Sequence, residues 1–171
     1  MKDTLQAINQ MQADGVIRKY ALGGAVGATL YLEPAATVDV DIFVLLPEPS
    51  GSGLISLSGI YEYLITRGYK AQAEHIVIGA WPVQFLPASN ALEEEALAEA
   101  LPTEVEGVPA WVMTAEHLVA IALRTGRNKD HARIMRFLEQ DVVDSEKLNR
   151  ILEQHGLTVK WEKFKKRYLH G

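Results

Sequence analysis

Asp39 and Asp41 stand two residues apart in a strongly apolar stretch, Thr37-Val-Asp-Val-Asp-Ile-Phe-Val-Leu-Leu46. In an extended segment that spacing projects both carboxylates from one face, while Val40, Ile42 and Val44 point from the other into a core. Upstream, Gly23-Gly24 leads into small and apolar residues, about Ala25 to Leu32, that read as a helix stopped by Pro34. The acids offer oxygen ligands for Mg²⁺, and a glycine pair at a helix start lets phosphate oxygens approach backbone N–H groups. Phosphoryl and nucleotidyl transfer require both. Spacing alone leaves a plainer alternative open, a tight turn followed by two surface acids at a strand end.

A second group of chemically capable residues lies later, in Ala122-Leu-Arg-Thr-Gly-Arg-Asn-Lys-Asp130 and just beyond it. Arg124, Arg127, Lys129, Arg133 and Arg136 put five cations within thirteen positions of a chain whose net charge is −5. Near a triphosphate they would neutralise it, with Lys129 the best single candidate; in isolation Lys129 reads as a solvated cation and Asp130 as a first-turn helix acid.

Together these stretches resemble the nucleotidyltransferase superfamily, the fold of DNA polymerase β and the minimal nucleotidyltransferases. Leu22-Gly-Gly-Ala-Val with Thr37-Val-Asp-Val-Asp-Ile-Phe-Val is similar in particular to AbiEii/AbiGii-type proteins, whose members include toxins of toxin–antitoxin systems, and the Lys129-Asp130 pair resembles that family's later helical motif. The resemblance implies an α+β fold, a small mixed β-sheet flanked by helices with a C-terminal helical region. It implies that Asp39 and Asp41 hold Mg²⁺, that Gly23 and Gly24 hold the phosphates of an NTP, and that Lys129 serves catalysis. It also places Thr37, Gln84 and Asp130 beside the nucleotide, Asp130 orienting Lys129. RNA, a protein or a small molecule would be the acceptor, and an antitoxin protein a possible partner. One departure stands out. Such enzymes carry a third carboxylate on a later strand, and the strand that should supply it, Val83-Gln-Phe-Leu86, has Gln84 there. An amide oxygen can reach a metal but carries no charge and accepts no proton, so whether the chain is an enzyme stays open; Glu74 is the nearest substitute by sequence.

The elements that must position these residues are legible in outline. Helices are expected over Thr4–Met11, capped by Asp3 or Thr4, then Leu57–Arg67, Leu92–Leu101, Ala115–Thr125 capped by Thr114, Lys129–Gln140, a run capped by Asp144 or Ser145 and ending at Gly156, and Val159–Leu169. Strands are expected at Val16–Leu22, Thr37–Leu46, Ala73–Ile78 and Val83–Leu86, with Gly79-Ala-Trp-Pro82 as a turn, and Glu104–Val112 as an edge hairpin. Pro47 to Gly53 reads as a loop of turn residues. The order, mixed α and β first and helical last, suggests one domain over 1–171, with an α/β core over 1–112 and a helical part over 113–171 packed on it.

Composition sets the outer limits. A chain of 171 residues, 48% apolar and 23% charged, is long enough for one good core. The acidic balance argues against generic polyanion binding. With no cysteine, thiolate metal sites, disulfides and thiol catalysis are excluded. No signal peptide or membrane-length apolar run is visible, so a cytoplasmic protein without membrane contact is expected. The five histidines show no metal-ligand spacing and read as surface or capping residues. Trp81 reads as a packed turn residue, with stacking on a base the alternative, and the last helix, with Lys160, Lys163, Lys165, Lys166 and Arg167 beside Trp161, Phe164 and Tyr168, reads as an amphipathic helix docked by its aromatic side, with contact to RNA the alternative.

Overall fold

The computed structural model describes residues 1–37, 39–48 and 55–170. Among these residues seven strands form one mixed sheet: β1 (Lys19–Leu22), β2 (Val40–Leu45), β3 (Lys70–Gln72), β4 (His75–Ile78), β5 (Trp81–Pro87), β6 (Leu101–Val105) and β7 (Val108–Val112), in the order β3-β4-β5-β2-β1-β7-β6. At its centre β2 runs antiparallel to β1 and parallel to β5, with Asp41 opposite Gln84. Among the described residues eight helices flank it: α1 (Lys2–Ala13), α2 (Gly24–Ala28), α3 (Ser58–Thr66), α4 (Ala91–Ala98), α5 (Ala115–Thr125), α6 (Asn128–Glu139), α7 (Ser145–Gln154) and α8 (Thr158–Tyr168). This is the α+β arrangement the sequence implies.

The alternation along β2 divides the interior. Val40, Ile42 and Val44 join Leu5, Ile8 and Met11 of α1 and Ile60 and Leu64 of α3 in a core on one face. Phe43, one step out of phase, belongs to the opposite core, built from α4, α5, α6, α7 and α8 through Leu92, Leu118, Val119, Phe137, Leu152, Trp161 and Phe164. Asp39 and Asp41 share that second face, at the end where the helices leave it open. The aromatic side of α8 is docked as expected, with Trp161 and Phe164 buried and stacked at 5.4 Å.

Several local expectations are corrected. Helix α2 closes at Ala28 instead of Leu32; Thr29 turns its hydroxyl back onto the Val26 carbonyl at 2.6 Å, and the chain goes on in turns. Neither Asp3 nor Thr4 caps α1, which begins at Lys2; Thr4 is buried and donates to the Ile78 carbonyl at 2.8 Å. The strand expected over Ala73–Ile78 is the second arm of a hairpin whose first arm is β3, turning at Ala73 and Glu74. Trp81 and Pro82 belong to β5 and not to a turn, and Trp81 packs partly buried against the first core. Pro82 is tolerated because β5 pairs with β2 only from Val83 onward, so its missing N–H falls outside that ladder. The loop expected from Pro47 to Gly53 lies largely outside the described residues. No helix among the described residues is long and apolar enough to cross a membrane.

Candidate functional site

The open end of the sheet leads into a cavity of about 710 Å³. Gly24, Thr37, Asp39, Asp41 and Gln84 form its sheet side, and Arg127, Lys129, Asp130 and Arg133 of the α5–α6 corner form the facing wall. Gly23 stands immediately before this lining. Thus the two sequence motifs, far apart along the chain, enclose one space.

Gly24 and Asp41 are matched in detail. Gly24 has φ +53°, and a Cβ there would come 2.0 Å from Asp41 Oδ2. Only glycine allows that carboxylate to lie against the turn. Gly23 is equally confined: a Cβ would meet the Phe43 ring at 2.6 Å, and its N–H donates to the Asp41 carbonyl at 3.0 Å. Helix α2 has five residues, so the helix dipole expected to favour phosphate is small, and the turn's own backbone is what lies beside the acids. The Thr37 hydroxyl donates to the Asp39 carbonyl at 3.0 Å and steadies the approach to the strand.

Burial pushes the Asp41 carboxyl above its ordinary value, and the neighbouring Asp39 charge adds to that; Arg133, Lys129 and Arg127, in that order, oppose it. The site therefore holds a carboxylate at a cost in free energy that a bound cation would offset. On the facing wall, Asp130 is buried and occupied by arginines. Arg127 donates Nε to its Oδ2 at 2.7 Å and Nη2 to its Oδ1 at 3.1 Å, and Arg133 Nη1 stands 3.6 Å from Oδ1. The partners of Asp130 are thus Arg127 and Arg133, where the sequence suggested Lys129. This pairing holds Arg127 above its usual pKa, while burial lowers that of Arg133. Arg127 and Arg133 line the cavity together with Lys129; Arg124 and Arg136 do not, the latter donating to the Glu33 carbonyl at 2.6 Å.

Gln84 occupies the position expected, on β5 directly beside Asp41. Glu74 is corrected: it sits exposed in the β3–β4 turn and does not line the cavity. A residue that spacing missed stands nearer. His75 Nε2 lies 3.4 Å from Asp39 Oδ2 in a geometry that makes no hydrogen bond, and it is buried without a hydrogen-bond partner among the described residues. His75 follows the turn into β4, so only the sheet register, not linear spacing, brings it here. His75 does not line the cavity, where two carboxylates and the Gln84 amide are the groups suited to a divalent cation.

His117 also departs from the surface or capping role expected of it. It is fully buried, with Nδ1 2.7 Å from the Thr114 hydroxyl and Nε2 2.9 Å from Glu95 Oε1. Glu95 Oε2 meets His155 Nε2 at 2.9 Å and accepts from Gln154 Nε2 at 2.9 Å. Glu95, Glu99 and His117 each bring one donor atom within 4.8 Å of the others. These groups lie outside the cavity lining, and Glu95 bonds to His117 and His155, fastening α4, α5 and the end of α7 together.

No protein-family model and no curated protein matches the chain by sequence. By structure it is similar to an antigenic nucleotidyltransferase-like protein from Paracoccidioides brasiliensis, with a TM-score of 0.56 and 12% identity over 88% of this chain and 84% of that one. It is likewise similar to the antibiotic-resistance factor ANT(2'')-Ia, with a TM-score of 0.53 and 14% identity over 99% of this chain and 98% of the other. The chain has the nucleotidyltransferase fold.

Proposed function

We propose that this chain transfers a nucleoside monophosphate from an NTP to a hydroxyl group of RNA, protein or a small molecule, with Mg²⁺ as the cation. The observation that carries the reading is the seating of Asp41 against Gly24, where a Cβ would fall 2.0 Å from Oδ2. A backbone stripped of side chain, a paired carboxylate and three cations facing one cavity is a combination suited to a metal-bound triphosphate.

In this reading Asp39 and Asp41 hold the cation, and the Gly23-Gly24 backbone lies along the phosphates. A divalent ion, when bound, supplies charge neutralisation and polarises the phosphoryl group under attack. Lys129 meets the phosphates from the helical wall, and Arg127 and Arg133, fixed by Asp130, hold a second line of positive charge. Asp130 thus acts through the arginines, and Thr37 through the backbone of Asp39. Gln84 offers a lone pair and takes no proton, so the proton of the attacking hydroxyl passes to a carboxylate of the pair or to water.

Purified protein incubated with Mg²⁺, each α-labelled NTP and RNA, protein or small-molecule acceptors tests this directly. Label transfer that falls about a hundredfold or more in Asp39→Asn and Asp41→Asn supports it. Equal transfer by those variants refutes the site.

One observation favours a second reading, a catalytically reduced nucleotide-binding module. Gln84 is in register with Asp41 where a charged third ligand would stand. Nucleotide binding without transfer, converted to transfer by Gln84→Asp, would select that reading. The toxin–antitoxin role rests on the motif resemblance, and co-purification of a neighbouring gene's product with this chain is its test.

A further inference from the structure

We infer that a second, basic recess beside the cavity holds the phosphate backbone of the acceptor, and that this acceptor is single-stranded RNA. The inference rests on the reading of the cavity as a nucleotidyl-transfer site. Among the acceptors that reading admits, it selects the one that carries a negative charge at every unit of its length.

Charge is the first support. The recess encloses about 300 Å³ between the end of α5, the first turns of α6, and α8. Lys160, Lys163 and Arg167 line it with His131 and Tyr168, and no carboxylate does. None of these three cations makes an ion pair among the described residues, whereas Lys165, on the same helix but outside the recess, is held by Glu162 at 2.7 Å. In a chain of net charge −5 they form a local excess that no acid of the lining compensates.

Spacing is the second. Positions 160, 163 and 167 follow the i, i+3, i+7 pattern that keeps residues on one face of a helix, and they spread the charge over about 10 Å of α8. That length exceeds one phosphate group and suits successive phosphates of a strand. Lys160 Nζ donates to the Arg124 carbonyl at 2.9 Å, which ties it to the end of α5 and leaves two of its three donors for a ligand. Tyr168 brings an aromatic ring to the wall, its hydroxyl 3.0 Å from His131 Nδ1. Cations along a groove with an aromatic ring in its wall bind single strands without reading their sequence.

Continuity is the third. Thr125, the last residue of α5, lines both the recess and the larger cavity. A strand seated along α8 therefore lies beside the space in which its terminal hydroxyl would meet the nucleotide.

Fluorescence anisotropy of a labelled single-stranded RNA of mixed sequence, titrated with the full chain over a salt series, tests the assignment without reference to turnover. Three phosphate contacts predict that log affinity falls against log salt with a slope of about −2. The double variant Lys163→Gln, Arg167→Gln should bind about tenfold or more weakly with a slope of about −0.7, while Lys166→Gln, on the same helix outside the recess, stays within about twofold of the parent. Far-ultraviolet circular dichroism verifies folding, and if the double variant does not fold, each single variant should flatten the slope by about 0.7. A parent that binds a non-hydrolysable NTP but no RNA, RNA binding that the recess variants leave unaltered, or an equal loss in Lys166→Gln overturns the recess while the nucleotide site stands. Tighter binding of a DNA strand of the same sequence, or displacement of the RNA by an equal concentration of inorganic phosphate, overturns RNA as the ligand. A parent that binds neither RNA nor the NTP overturns both readings.

Discussion

Asp41 is held where a carboxylate is costly, and that cost makes separable predictions for stability and binding. Its folded pKa is raised by burial first and by Asp39 second. Above that folded value the buried charge destabilises the native state, and the penalty is relieved as pH falls through it toward the ordinary value of 3.8. Asp41→Asn should therefore melt higher than the parent at neutral pH, with the gap closing toward pH 4 in a melting series, while nucleotide binding falls. A variant less stable at neutral pH would show that the charge is already compensated. Gly24→Ala should act in the opposite sense. It places a Cβ on Asp41 Oδ2 and a side chain at φ +53°, and should cost about 2 kcal/mol or more in urea unfolding together with the cation affinity. At this scale residue type and spacing singled out Gly24, Asp39, Asp41 and Lys129, which the fold brings to one cavity, but only the family resemblance gave them roles. The sequence was silent on His75, whose nearness to Asp39 exists only through the pairing of β4, β5 and β2.

Among the elements, α2 and the β3–β4 hairpin show how the scaffold serves the acids. Gly27 lies against β1, where a Cβ would stand 2.8 Å from the Leu22 carbonyl oxygen, so the helix can approach the strand only without a side chain. Gly27→Ala should push α2 outward and destabilise by about 1–3 kcal/mol. Gly59→Ala, at a position in α3 with open space and no left-handed backbone, should be neutral or stabilising by up to about 1 kcal/mol. Chemical denaturation of the pair checks both, and equal effects would remove the steric argument. The hairpin escaped the sequence because its turn uses Ala73 at φ +53°, without the glycine or asparagine that announces a left-handed position. Pro82 misled for a related reason: it reads as a turn residue, yet it enters β5 where no β2 partner needs its N–H. The boundaries of α5 were legible in full, since Thr114 caps one end and Gly126 closes the other at φ +71°.

Across the whole molecule, the sheet supplies two carboxylates and the helical layer supplies the opposing charge, so the cavity depends on how the helices are fastened to each other. Glu95 is one fastening. Burial opposes its ionisation, but hydrogen bonds from His117 and His155 and their charges outweigh that and lower its pKa. Its contribution is present above the ordinary value of 4.5 and is lost as pH falls through the lowered folded value. Glu95→Gln should cost about 1–3 kcal/mol at pH 7 and progressively less in acid, a pattern that melting curves over pH resolve. The individual helices and most strands were legible because apolar periodicity and caps are local, while the sheet flanked by helices was what the family resemblance implied. The pairing of Asp130 with Arg127 and Arg133, where Lys129 was expected, was not legible, because tertiary packing sets the α5–α6 corner. The most direct test of the account is calorimetric titration of the chain with a non-hydrolysable NTP, with and without Mg²⁺ or Mn²⁺. Cation-dependent binding that is lost in Asp41→Asn and weakened in Lys129→Ala is expected; binding that ignores both the cation and Asp41, or none by the parent, would contradict the site.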